Sequence, residues 1–217
     1  MKNCIAPKRP TTHRVLSIAG AAAFVAAFMV LLSQPAHAHR IKAPSVPSDI
    51  EVPPGNKAFL VGHGVGTQNY ICVPSASGFA FTLFTPQATL FGQGDKQQVT
   101  THYFSPNPFE NGTVRATWES SRDTSTVWGQ VIQPSSDPNF VAPNAIPWLL
   151  VKVVGAAEGP AGGDRLTDTT YIQRLNTVGG NAPATGCANS ADVGAKAFEP
   201  YTADYFFYFS PDADDRR

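Results

Sequence analysis

The chain has 217 residues, of which 42% are hydrophobic and 15% are charged, and its 16 basic and 16 acidic side chains give a formal net charge of zero. This length fits one domain with a sizeable hydrophobic core. The lack of a basic excess argues against nucleic acid or an anionic lipid surface as a partner.

Residues 1–38 predict a secretory signal peptide. Four basic side chains precede an apolar run over residues 15–32, and Ala36-His37-Ala38 supplies the small-x-small cleavage pattern. The run is near the minimum length of a membrane span, but Ser17 and Gly20 interrupt it and the cleavage motif favours removal. We therefore expect cleavage after Ala38 and a secreted or periplasmic protein that no longer contacts the membrane. It keeps 12 basic and 16 acidic side chains, a formal charge of −4.

Two cysteines remain after that cleavage. Cys4 leaves with the leader, so the mature chain keeps Cys72 and Cys187. An exported chain with two thiols is expected to close one disulfide, and no Cys-x-x-Cys spacing indicates redox chemistry instead. The bridge would close a loop of over a hundred residues, for which chain entropy gives about 4–5 kcal/mol of stabilisation.

The mature chain is rich in Gly, Pro, Thr and aromatic residues and lacks Met, which favours strands and turns over helices. Residues 39–56 are Pro-rich, and we expect them to form an extended arm. Residues 192–198 could form one helical turn, and residues 211–217 form a frayed tail. Strand-like runs cover residues 58–62, 68–73, 78–84, 98–104, 113–119, 124–133, 146–154, 169–175 and 203–209.

These runs predict a single mainly β domain over residues 57–210. Pro86 and Asn111-Gly112 are expected to form turns. The run at 146–154 is continuously apolar and predicts a central strand covered on both faces. About ten short strands with almost no helix favour an antiparallel β-sandwich or a closed barrel, with one disulfide.

The segment Gly62-His63-Gly64-Val65-Gly66 is the most glycine-dense part of the chain. A dinucleotide-binding loop would need a third glycine at the right spacing, a helix after it and a later acidic partner. A strand-like run follows instead, so we interpret the segment as a glycine-rich hairpin turn. No other cofactor motif occurs, and we expect no cofactor.

Two enzymatic alternatives involve histidines and carboxylates. Cleavage after Ala38 would make His39 the first residue, and an N-terminal His can chelate copper together with a second His, either His63 or His102. A hydrolase would instead use Glu119 and Asp123, or His102. Sequence spacing does not fix the separation that a carboxylate pair needs, and no Ser-His-Asp order supports a triad.

The three tryptophans offer a further possibility. Trp148 lies in the apolar run and is expected in the core. Trp118 and Trp128 lie on a predicted hairpin and could stack on sugar rings, with Glu119 accepting hydroxyl hydrogen bonds. Ordinary packing of large side chains is the alternative.

Nearly the whole mature chain resembles a family of exported bacterial and fungal proteins, the one numbered 3455 among the domains of unknown function. The resemblance implies that Cys72 and Cys187 are the cysteine pair of that family, in agreement with the compartment argument. The residues that carry it are Gly64-x-Gly66-x-Gln68-x-Tyr70-x-Cys72, Ala88-x-Leu90 with Gly92, His102-Tyr103, Trp118, 127–129, Ile146-Pro147-Trp148-Leu149-Leu150, Ile172-Gln173-Arg174-Leu175-Asn176-Thr177 with Gly179-Gly180, Ala182-Pro183 and Cys187, and Tyr201-x-Ala203-x-Tyr205-x-Phe207.

The chain departs from the family pattern around residues 105–125, where the family has Pro-x-Trp followed by Asp-Gly-Ser. Some fungal relatives are labelled malate dehydrogenase, which this sequence does not support because the dinucleotide fingerprint is absent. The resemblance therefore names a family without naming an activity.

We expect a non-catalytic binding module for a carbohydrate or another envelope or extracellular ligand. A secreted enzyme and a structural envelope protein are the alternatives, and the sequence leaves the oligomeric state open. Polar or aromatic residues on strands with apolar neighbours need an explanation, and buried hydrogen bonding is one. As candidate ligand-binding residues we name Gln68, Tyr70, His102, Trp118 and Arg174.

Overall fold

Eight antiparallel strands make up most of the chain. The computed structural model describes residues 41–94 and 96–211. The predicted signal peptide, Cys4, His39 and residues 212–217 of the predicted tail lie outside them. The strands are β1 (Lys57–Ser75), β2 (Gly78–Gly92), β3 (Gln98–Asn107), β4 (Thr113–Ser120), β5 (Thr126–Ser135), β6 (Trp148–Ala157), β7 (Thr169–Gly179) and β8 (Lys196–Phe209).

Each strand pairs with the next along the chain, and β8 pairs with β1, so the sheet closes into a barrel. The closing contact runs from Lys57 opposite Phe209 to Ile71 opposite Lys196. Of the two architectures that the sequence left open, the structure has the barrel. It has eight strands of 8 to 19 residues in place of about ten short ones, because two predicted turns lie inside strands.

The first of these is the glycine-dense segment, which was wrongly interpreted as a hairpin turn. Gly62 to Gly66 lie inside β1 and pair with both β2 and β8. A Cβ at Gly64 would stand 2.8 Å from the ring of Tyr205, and a Cβ at Gly66 would stand 2.0 Å from the carbonyl oxygen of Gln87. The glycines therefore allow other groups to approach the barrel wall closely, and they do not bend the chain.

Pro86 is the second wrongly predicted turn, since it lies within β2. It pairs with Gln68 of β1, next to the bulge at Asn69 and Tyr70. On its other side, pairing of β2 with β3 starts only at Ala88. A proline is tolerated there because no ladder hydrogen bond is required of its nitrogen.

The barrel interior holds one hydrophobic core. Side chains that alternate along the strands fill it, as for Tyr201, Ala203, Tyr205 and Phe207 of β8, which are at most 3% exposed. Other members of this core are Leu60, Ala88, Leu90, Val99, Trp118, Val127, Ile146, Val151, Leu166 and Ile172.

A second core lies on the outer face of the barrel, where the N-terminal arm packs. The arm contains a short 3-10 helix, Ser48–Ile50, and its Ile50 is fully buried against β6, β7 and β8. Gln173 donates a hydrogen bond to the carbonyl of Ile50 at 2.7 Å. Trp148 and Leu150 belong to this outer core and Val151 to the inner one. The start of β6 is thus covered on both faces, but Lys152 is exposed, so the prediction for residues 146–154 is correct only for the first half of the run.

The disulfide joins Cys72 of β1 to Cys187 in the loop between β7 and β8, as predicted. That loop contains a 3-10 turn at Ser190–Asp192, and β8 starts at Lys196, so the helical turn expected over 192–198 is wrong. Asn111 and Gly112 both have positive φ at the predicted turn between β3 and β4. No helix within the described residues is long and apolar enough to cross a membrane.

Candidate functional site

A cavity of about 280 Å³ lies inside the barrel. All five candidate residues named from the sequence line it: Gln68 and Tyr70 from β1, His102 from β3, Trp118 from β4 and Arg174 from β7. Strands from the first to the seventh of the barrel thus converge on one space. Their role in binding a ligand stays a prediction.

The rest of the cavity wall is almost entirely apolar. No carboxylate, serine or cysteine is among its lining residues. Besides the five polar and aromatic candidates, the wall consists of Leu83, Pro86, Phe104, Ala116, Val131, Ile146, Pro147, Leu149, Val151 and Tyr205.

His102 is locked in place by its neighbours. Its ring stacks on Trp118, with centroids 4.3 Å apart and planes 10° apart. Its Nδ1–H donates to the carbonyl of Thr117 at 2.9 Å, which leaves Nε2 as an acceptor in the neutral ring. Burial lowers the pKa of His102 to about 3, although the hydrogen bond to Thr117 opposes this shift. His102 is therefore neutral at physiological pH.

Arg174 brings a positive charge into the cavity. It is half-buried, and its Nη2 donates to the carbonyl of Pro147 at 2.8 Å. Its Nε is buried and has no hydrogen-bond partner. No carboxylate of the described residues lies within ion-pair distance of the guanidinium. Its charge acts on the titration of Tyr70, His102 and Tyr205, which line the same cavity, and its side chain also forms a hydrogen bond with Tyr205.

Two further donors in the cavity wall are poorly satisfied. Nε1 of Trp118 is buried without a hydrogen bond to any described residue, and Nε2 of Gln68 makes none of ordinary geometry, although the Gln68 side chain interacts with the hydroxyl of Tyr201. Each of these residues is 2% exposed. Leaving a buried donor unpaired costs about 1–3 kcal/mol. Unsatisfied groups that cluster around one cavity are therefore expected to meet something that fills it.

The two tyrosines of the cavity are held by other groups. Tyr70 donates its hydroxyl to the carbonyl of Gly180 at 2.6 Å, which ties β1 to the loop after β7, and burial raises its pKa. The hydroxyl of Tyr205 lies 2.9 Å from that of Tyr201, and burial raises the pKa of Tyr205 too. Sequence reasoning missed Tyr205, because its alternation with Ala203 and Phe207 is typical of ordinary core.

The carboxylates considered for hydrolysis do not line the cavity. Glu119 accepts a hydrogen bond from Tyr103 at 2.7 Å in an adjoining groove of about 470 Å³, which is bordered by β1 to β4 and shares Pro86 and His102 with the cavity. Asp123 lies in the turn after β4 and accepts from Ser125 and from the backbone of Arg165. Burial alone would raise its pKa, but these donors outweigh burial and hold the pKa at about 2.

Neither tryptophan of the predicted hairpin presents a free platform for a sugar. One face of Trp118 is covered by His102. Trp128 is buried under the tip of the β3–β4 hairpin, where Phe109 packs on its edge at 6.0 Å and its Nε1 donates to Ser105 at 2.9 Å. Ordinary packing describes Trp128 fully.

The histidines of the copper hypothesis do not meet in the described structure. His39 lies outside the described residues. His63 is exposed and contacts Asp204 at 2.9 Å, whereas His102 is buried inside the barrel. Within residues 41–94 and 96–211, no group of three His, Cys, Asp or Glu side chains is arranged to hold a metal ion.

Comparison with known proteins gives one match. The family model described as protein of unknown function (DUF3455) matches residues 53–209, which include all eight strands and both disulfide cysteines. The chain belongs to this family. No curated protein and no solved structure matches it.

Proposed function

We propose that this DUF3455 protein is a non-catalytic binding module that holds a small ligand in the cavity inside its barrel. Eight-stranded barrels have an interior just wide enough to hold side chains or one small ligand. Ligand sites are mostly apolar concavities with a few convergent polar groups. One observation carries the proposal: Gln68 of β1, Trp118 of β4 and Arg174 of β7 line a single, mostly apolar cavity, and each holds a buried nitrogen without a hydrogen bond of ordinary geometry.

The cavity is poorly equipped for catalysis. A general base works best with a pKa near the working pH, and the pKa of His102 is about 3. The lining residues provide no serine or cysteine nucleophile and no carboxylate. Binding therefore fits the chemistry of this wall better than hydrolysis by Glu119, Asp123 or His102.

We also propose that the protein works in the periplasm or outside the cell. The disulfide between Cys72 and Cys187 fits an oxidising compartment. Copper binding at His39 remains the enzymatic alternative. Intact mass of the exported protein and its metal content test that alternative, and an N-terminus other than His39 would end it.

A variant that fills the cavity tests the binding function. Ala116 lines the cavity, whereas Val114, two residues earlier on β4, is 59% exposed. We expect native mass spectrometry of protein purified from its producing cells to show a bound small molecule in the wild type and in Val114→Phe. The molecule should be absent from Ala116→Phe. Retention by a folded Ala116→Phe, or a wild type that is empty in every preparation, would contradict the proposal.

A further inference from the structure

The proposed binding function does not by itself explain the positive charge of Arg174 in the cavity. The guanidinium is half-buried, it interacts with two neutral groups, the carbonyl of Pro147 and the hydroxyl of Tyr205, and no described carboxylate neutralises it. Buried charges in folded proteins are usually paired, because burying an unpaired one is costly. Water in the cavity would not neutralise the charge.

The other unpaired groups of the cavity have the same polarity. Gln68, Trp118 and Arg174 each present an N–H donor without an acceptor. Two buried oxygens that also lack partners, those of Asn69 and Thr100, belong to residues that do not line the cavity. Nε2 of neutral His102 is an acceptor in the same wall, but the three unpaired nitrogens are donors, so a complementary group would mainly accept hydrogen bonds. An ionised carboxylate does so, whereas each hydroxyl of a sugar brings a donor as well.

The remaining wall limits the body of the ligand. Side chains such as Leu83, Phe104, Val131, Ile146 and Leu149 offer no polar atom to it. The volume of about 280 Å³ is just below the usual range for pockets of drug-sized ligands, about 300–1,000 Å³. The body that fits is small and apolar.

We propose that the cavity binds a small monocarboxylic acid with an apolar body, such as a short fatty acid or an aromatic acid, with its carboxylate on Arg174. This inference rests on the proposed binding function and names the class of ligand. Arg174 gives the charge-assisted bond, Gln68 and Trp118 supply neutral donors, and the apolar wall covers the body. The His102 ring stacked on Trp118 fixes the direction of the indole.

Matched pairs of probes test this assignment. Calorimetric titration of the full protein would compare hexanoate with hexan-1-ol, and benzoate with benzyl alcohol and benzylamine. We expect each acid to bind roughly 10- to 100-fold more tightly than its alcohol, as a charge-assisted hydrogen bond implies, and the amine to bind most weakly. Intrinsic fluorescence, to which Trp118 contributes together with Trp128 and Trp148, gives a second readout.

Two arginine variants complete the test. Arg174→Gln should reduce the affinity for each acid to that for its alcohol and leave the affinity for the alcohol unchanged. Arg165→Gln removes an exposed charge in the connection between β6 and β7, outside the cavity lining, and should leave every affinity unchanged. If Arg174→Gln does not fold, Arg174→Lys and the acid-to-alcohol ratio of the wild type decide the question.

The outcomes separate the two proposals. Alcohols that bind as tightly as acids, or a preference for acids that survives in folded Arg174→Gln, would overturn the carboxylate assignment while the binding function stands. Inorganic phosphate or sulfate competing as well as hexanoate would also overturn it, because the apolar body would then contribute nothing. If no probe binds and the purified protein carries no small molecule, both proposals fail.

Discussion

The ring of His102 is enclosed on several sides, by the indole of Trp118, the phenol of Tyr205 at 5.3 Å between centroids, and the carbonyl of Thr117. Because the folded protein holds the pKa of His102 at about 3, protonation requires this packing to be given up. In the unfolded chain the same side chain has a pKa of about 6.5. One residue thus links the cavity wall to the acid stability of the whole domain.

This linkage predicts a pH dependence. Below about pH 6.5 the side chain of His102 binds a proton in the unfolded chain but not in the folded protein. The free energy of unfolding therefore falls as the pH falls, by up to about 1.4 kcal/mol per pH unit. Urea unfolding at several values between about pH 6.5 and pH 4.5 measures the slope. His102→Gln should flatten it, and His63→Gln on the exposed outer face should not. An unchanged slope in a folded His102→Gln would contradict the assignment to His102.

Five polar or aromatic residues could be picked from the sequence because each interrupts an apolar strand pattern. Their convergence could not be foreseen, since it depends on which strands become neighbours across the barrel. Tyr205 was missed because an aromatic residue in an alternating strand has nothing unusual in its pattern. The hydrogen bonding of Arg174 and Gln68 could not be predicted either, because a missing hydrogen bond can be recognised only in the folded structure.

At the scale of elements, β1 shows how tertiary contact overrides local propensity. Three glycines in five residues indicate a turn, yet here they sit on the inner face of a 19-residue strand. Gly64 makes room for the ring of Tyr205, and Gly66 lets the backbone of β2 approach. Sequence analysis lacked these partners and therefore split one strand into two.

Alanine substitutions should rank these two glycines. Gly66→Ala places a Cβ against backbone atoms of Gln87 and Ala88, which can move only by breaking the β1–β2 ladder, so we expect a loss of about 3 kcal/mol or more. Gly64→Ala meets a side-chain ring and should cost less. Urea unfolding measures both, with Thr67→Ala on the same strand as control. A Gly66→Ala protein as stable as Gly64→Ala would show that the ladder yields easily.

The N-terminal arm is the other element whose role only the structure reveals. Its proline content predicted an extended segment, but not that Ile50 would be fully buried on the outer face of the barrel. Ile50→Ala should cost about 2–5 kcal/mol, although the residue precedes the first strand. Thermal unfolding checks this, and Val193→Ala, at a site 45% exposed, should change stability by less than about 0.5 kcal/mol. Equal effects would mean that the arm is only loosely attached.

At the scale of the whole molecule, composition and cysteine count sufficed to predict one mainly β domain with one bridge. Sandwich and barrel could not be separated, because the difference lies in the pairing of β1 with β8. Those strands are the most distant in the sequence, and both alternate between buried and exposed positions in a way that fits either architecture.

The disulfide stabilises the molecule across 115 residues. Chain entropy predicts that its loss costs about 4–5 kcal/mol, a large share of the net stability of one domain. Urea unfolding of wild type with and without reductant measures this loss. The double variant Cys72→Ser with Cys187→Ser should have the free energy of unfolding of reduced wild type, and reductant should not change it. A double variant that is as stable as oxidised wild type would contradict the expectation.

Because β1 pairs with β8, the barrel can close only after its last strand has been made. A ribosome makes the first strand more than a hundred residues before its last neighbour, so every shorter intermediate has two open edges with unsatisfied amides and carbonyls. Such long-range closure is slow, and during that interval the edges are free to join those of another nascent copy. Synthesis of β8 ends this period, and a chain truncated before β8 keeps both edges open.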